Sequence, residues 1–193
     1  MNAAIPITDL NYDERLFLLT YKYVLQKDYQ FQDSNRDAEN ISIDHVQAQK
    51  VGYALDRLKL LNTYCFSWNR RGPFSGKFQE LLSGLDAKAE LVARFYRENQ
   101  NPLEALRELL PACLLAPLSR VGQAFSNYIG QNGNPADDLE LLGSLLYIGT
   151  TVLPGRDFEQ VNRELQVRKS SFENKEQNLE AWNCLTDVGL ITA

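Results

Sequence analysis

The chain has one histidine, one methionine and three cysteines in 193 residues. A single histidine excludes any metal centre built from a histidine cluster, and it leaves Ser-His-Asp or Cys-His chemistry one residue to use. That residue, His45, opens an apolar-periodic stretch and reads as an ordinary first-turn helix residue. Cys65, Cys113 and Cys184 are odd in number and far apart, without a C-x-x-C pair, so neither a disulfide framework nor a thiolate zinc site is indicated. They read as buried, reduced thiols. No run of about 18 apolar residues occurs, and residues 1–16 lack both a basic and an apolar leader segment. A cytoplasmic chain that does not span a membrane is therefore expected. Asn40-Ile41-Ser42 matches the N-glycosylation triplet only by chance in that setting.

What is present is ordinary for a globular protein. The composition is 44% hydrophobic and 23% charged, which excludes wholesale disorder and fibrous repeats. A chain of this length can bury roughly 70% of its unfolded surface in one core. The net charge is −5, but it is unevenly placed: residues 1–100 carry 13 basic and 13 acidic side chains, residues 101–193 carry 7 and 12. Within the neutral half, between residues 50 and 77, Lys50, Arg57, Lys59, Arg70, Arg71 and Lys77 face only Asp56. Such a local basic stretch on an acidic protein suits a phosphate backbone or an acidic partner surface. The densest acidic group, Asp137-Asp138-Leu139-Glu140, opens a helix and reads as a response to its dipole. No metal or cofactor is expected.

Periodicity predicts a mainly helical domain of seven to eight helices with one or two short β pieces. Apolar spacing gives helices over residues 10–27 and 44–61, the second with Val46, Val51, Leu55, Leu58 and Leu61 on one face. Between them, residues 28–43 are polar and read as a long loop. Residues 64–68, aromatic and strand-like, are cut off by a Gly72-Pro73 turn. Ser75 caps a helix to Leu82, and another covers residues 85–99. Asn101-Pro102 starts a fifth helix that Pro111 and Pro117 break. Residues 118–129 form its second piece. Asn134-Pro135 starts the next helix, running through Ile148 and closed by Pro154-Gly155. Helices over 158–169 and 177–188 follow, the last ended by Gly189.

Arg70-Arg71-Gly72-Pro73-Phe74-Ser75-Gly76-Lys77 looks superficially like a phosphate loop. Three residues instead of four separate the glycines, one is proline, and Phe78 follows the lysine, so ATP binding is refuted. With its flanks, Asp56 to Leu61 before it, the aromatic run Tyr64 to Trp68, and Phe78-Gln79-Glu80-Leu81-Leu82 after it, the segment resembles the YwgA-type and Panacea-type proteins. There a helix, a short aromatic strand and a Gly-Pro-Tyr/Phe-Ser turn precede a helix. Glu180-Ala181-Trp182-Asn183-Cys184-Leu185 before Gly189-Leu190-Ile191 is similar to that family's closing helices. The resemblance implies a winged-helix-like part over residues 1–100 and a helical part over 101–193 packed on it as one compact unit. It also implies a non-enzymatic module: antitoxin-like proteins, protease adaptors, and the small middle components of ABC-type three-component (Lamassu-like) antiphage systems, which accompany an SMC-like ATPase and an effector.

Two functions of different kinds follow, with a third behind them. The chain is read first as an adaptor or regulatory subunit of a larger protein in a bacterial defence or toxin–antitoxin complex. In that reading Lys59, Arg70, Arg71 and Lys77 bind an acidic surface, with Trp68 or Phe74 as apolar anchor. The alternative is a nucleic-acid-binding regulator using the same residues on phosphates. An enzyme using scattered carboxylates such as Asp56 or Glu80 is the third, and no paired-acid spacing supports it.

Overall fold

A computed structural model describes residues 9–26, 43–61, 64–98, 104, 107–108, 110–130 and 134–192. The predicted loop over 28–43, except Ile43, lies outside them, as do the stop at Asn62 and the Asn101-Pro102 helix start. Among the described residues the fold is mainly helical, as the periodicity predicts, with one two-stranded antiparallel sheet. The helices are α1 (Tyr12–Gln26), α2 (His45–Arg57), α3 (Gly76–Ala87), α4 (Ala89–Glu98), α5 (Leu115–Tyr128), α6 (Pro135–Tyr147), α7 (Phe158–Arg168) and α8 (Lys175–Asp187). Strands β1 (Ser67–Asn69) and β2 (Gly72–Phe74) form a hairpin between α2 and α3.

Local chemistry sets most boundaries. Asp44, Ser75, Asn134, Asp157 and Asn174 each accept a backbone N–H of the first turn that follows, which satisfies donors the helix itself leaves open. Two helices end alike. Gly189 takes φ +72° while Leu190 N–H returns to Leu185 O; Lys59 takes φ +56° while Leu60 N–H returns to Leu55 O. Lys59, without glycine's freedom, thus ends α2 four residues before the predicted Leu61. Lys88, at φ −103°, separates α3 from α4, where the sequence predicts a break nearer Leu82. Pro117 does not break α5, because it stands in the first turn, where amide donors have no intrahelical partner. Pro111 instead precedes a short 3₁₀ turn, Ala112–Leu114.

The β prediction needs a larger correction. The expected Gly72-Pro73 turn is strand, and the turn is Arg70-Arg71, closed by the Asn69–Gly72 pair. Gly72 has φ +89° behind two residues of negative φ, the arrangement in which a glycine follows a type I hairpin turn. Pro73 is tolerated because both strands of a two-stranded sheet are edges.

The halves are built into each other. α1 packs on α5 and α2, α2 on α6, and α6 on α8, while β2 rests on both α2 and α6. An aromatic chain runs through this core: Phe17 meets Phe78 edge-on at 5.4 Å, Phe78 meets Phe66 at 5.8 Å, Phe66 meets Tyr53 at 5.2 Å, Tyr53 meets Tyr147 at 5.4 Å, and Tyr147 meets Trp68 at 5.7 Å. Each buried ring contributes about 1.5–3 kcal/mol by area. Gly52 makes room for it, since a Cβ there would lie 2.3 Å from the Phe78 ring. Beyond α6, a π-helical turn (Ile148–Val152) brings the Thr150 and Thr151 hydroxyls to the Tyr53 hydroxyl at 2.8 and 2.7 Å. Among the described residues no helix is long and apolar enough to cross a membrane.

Candidate functional site

The hairpin has two faces because side chains alternate along a strand. Trp68 pairs with Pro73, and their neighbours Asn69, Gly72 and Phe74 belong to the opposite face. The Trp68 face is filled. Its ring touches Tyr147 and lies beneath two cations, Arg168 at 5.0 Å and Lys169 at 5.6 Å from the ring centre. Lys169 is buried, yet fully served: its Nζ ion-pairs with Glu140 and donates to Arg70 O at 2.8 Å.

The other face overlooks a cleft of about 210 Å³ lined by His45, Val46, Gln49, Lys50, Asn69, Arg71, Gly72, Phe74 and Gln79. Its back wall is polar and ordered. Gln49, 1% exposed, donates to Ser75 O at 3.2 Å and accepts Ser75 N–H at 3.0 Å, so it holds both sides of the residue that caps α3. Gln79 bonds the Gln49 amide and the His45 ring, and His45 also pairs with Asp86 at 2.7 Å.

Lys50 is different. It is 3% exposed, its stem lies on Gly143 of α6, where a Cβ would sit 2.5 Å from Lys50 Cγ, and its end passes Gly72. Its Nζ makes no hydrogen bond or ion pair among the described residues. Burial pushes the ammonium down to about 8; Glu140 and Asp44 oppose that, while Lys169 and Arg71 add to it. The Ser144 hydroxyl, also fully buried and without a hydrogen-bond partner, lies in the same corner: a Cβ on Gly72 would be 3.2 Å from Ser144 Oγ and 3.5 Å from Lys50 Cε. Glu140, Gly143, Ser144 and Tyr147 are spaced i, i+3, i+4 and i+7, so one stripe of α6 carries both faces of the hairpin.

The six residues singled out from sequence are not one surface. Arg70 and Arg71 form the exposed hairpin turn, and Arg71 and Phe74 line the cleft. Trp68 is half-buried on the opposite face. Lys77 lies over the Tyr64 ring at 5.7 Å, and Lys59 is exposed where α2 ends. Sequence reasoning missed Gln49, gave Lys169 no role, took Glu140 only as part of an acidic group opening a helix, and counted Lys50 as one cation among six in a local basic stretch. The missed signal was in α2, where Gln47 to Leu55 are all buried, so no face was available to solvent for Gln49 and Lys50. Cys65 and Cys113 are exposed, against expectation; Cys184 is half-buried and donates to Ala124 O at 2.9 Å. Among the described residues no group of three His, Cys, Asp or Glu side chains could hold a metal. No family model, curated protein or solved structure matches the chain.

Proposed function

We propose that the chain is a non-enzymatic adaptor or regulatory subunit that docks on an acidic surface of a larger protein through its hairpin turn. The observation that carries this reading is the Arg70-Arg71 pair, exposed at the tip of a hairpin whose backbone is pinned from below. Lys169 holds Arg70 O, and Gly72 is seated against α2 and α6. A turn held in one shape loses little entropy on docking, and paired guanidinium groups suit carboxylate recognition in fork geometry. The family resemblance supplies the kind of partner: an SMC-like ATPase of a bacterial defence complex, or a toxin. A nucleic-acid-binding regulator is the competing reading, favoured by the exposure of Arg57, Lys59, Arg70, Arg71 and Lys77 along one stretch of chain.

One experiment separates the two. The tagged chain is captured from its native host with and without nuclease, beside an Arg70→Ala/Arg71→Ala double variant. A stoichiometric large protein that survives nuclease and is lost from the double variant is expected. Equal capture by the double variant would overturn the docking role of the turn; recovery of nucleic acid alone, lost at moderate salt, would establish the competing reading.

A further inference from the structure

Lys50 raises a separate question from the docking turn. An ammonium drawn partly out of water is disfavoured unless something opposite in charge meets it. Its neighbour Lys169 has the Glu140 carboxylate and a carbonyl, whereas Lys50 has no partner among the described residues and ends beside an open cleft. Two cations, Lys50 and Arg71, face the cleft, while Lys169 stands on the other face of the hairpin. The acids are Glu140, engaged by Lys169, and Asp44, exposed and used on the first amides of α2. His45 is paired with Asp86 across the cleft wall. The balance is positive, with Lys50 at the floor and exposed Arg71 at the rim.

We propose that this cleft is an anion site for a phosphate monoester, with the Lys50 ammonium at its floor, the Arg71 guanidinium at its mouth, and Val46 and Phe74 as apolar walls for the organic part of the ester. With Glu140 engaged by Lys169 and Asp44 used on the α2 amides, the two cations left to face the cleft are Lys50 and Arg71, and a monoester, about −1.5 to −2 at pH 7 with three acceptor oxygens, can meet both. The volume of about 210 Å³ far exceeds the roughly 10–15 Å³ one water needs. Val46 and Phe74 offer the organic part of the ester an apolar contact that inorganic phosphate cannot use. The site goes beyond the adaptor reading and shares only Arg71 with it.

The test is calorimetric titration of the full chain at low salt with phenyl phosphate, with inorganic phosphate as competitor. Phenyl phosphate binds the wild type, inorganic phosphate competes more weakly, Lys50→Met loses at least tenfold in affinity, and Arg71→Ala, a surface change that leaves the fold intact, loses several-fold. Affinity holds between pH 6.5 and about 8 and then falls up to tenfold per pH unit as Lys50 loses its proton. A phosphoserine peptide of neutral sequence identifies the source: binding as tight as phenyl phosphate shows that the group arrives on a protein side chain, and preference for phenyl phosphate shows a small molecule. Absence of any phosphate binding at millimolar concentration, or equal affinity in wild type, Lys50→Met and Arg71→Ala, overturns the proposal. Because no partner protein is present, these outcomes are independent of the docking experiment.

Discussion

Two buried lysines stand on opposite faces of one hairpin, above one stripe of one helix, and they differ in almost everything else. Lys169 is enclosed by Glu140, Arg70 O and the rings of Trp68 and Phe172. Lys50 is enclosed by Gly143 and Gly72, which offer room and no charge. The first arrangement is a finished piece of core; the second holds a charge in reserve at a hollow. Burial alone therefore says little about a lysine's role. What separates structure from function here is whether the buried group has its complement within the chain.

Substitutions can break that contrast or sharpen it. The largest effect is expected from Lys169→Met, which leaves Glu140 unpaired and Arg70 O without its donor; stability should fall by about 2–4 kcal/mol in urea denaturation. A neutral result would mean the closed face does not depend on the pair. Trp68→Ala should cost about 2–3 kcal/mol, less than a fully buried aromatic, because its ring is half-exposed. Lys50→Met should act in the opposite direction, raising stability at pH 7 by about 1–3 kcal/mol, since it removes a partly desolvated charge that has no ion-pair partner among the described residues. This gain has a pH signature. The folded-state value near 8 is below the usual 10.5, so between them the unfolded chain binds more protons and wild-type stability rises with pH. The advantage of Lys50→Met is thus full below about pH 8 and vanishes by about 10.5. Measuring both proteins in parallel cancels the opposing loss from Cys184, whose thiol burial pushes up to about 11, and from Tyr64 and Tyr128, both raised by burial. Smallest of all, Arg70→Ala with Arg71→Ala should change stability by no more than about 0.5 kcal/mol, so loss of partner capture in that variant reports docking.

The fold was legible where its causes are local. Asp44, Ser75, Asn134 and Gly189 act on amides or carbonyls within a few residues, and the sequence announces them. The helix through residues 134–147 and the closing pair of helices follow from such signals. The hairpin was misplaced because Gly-Pro reads as a turn unless one knows that β2 lies on α2 and α6. The site was less legible still. Gln49 acts on Ser75, Lys169 on Arg70, and Lys50 on Gly143, contacts spanning from 26 to 99 residues of chain. Apolar spacing along α2 marks one buried stripe, yet the helix is enclosed from nearly all sides, and polar residues inside such a helix look like a solvent face until the fold is known.

The single stripe of α6 that underlies both faces also has a use in tracing ancestry. Glu140 meets Lys169, Gly143 meets Lys50, Ser144 lies beside Gly72 and Tyr147 meets Trp68. Together these form a sparse fingerprint, a lysine in α2, W-x-x-x-G in the hairpin, E-x-x-G-S-x-x-Y in α6 and the lysine that follows α7, whose members constrain one another through contact. A descendant that replaced Gly143 with any larger residue would have to shorten Lys50 in the same lineage. Paired substitutions of that kind would mark kinship long after the remaining residues had drifted beyond comparison.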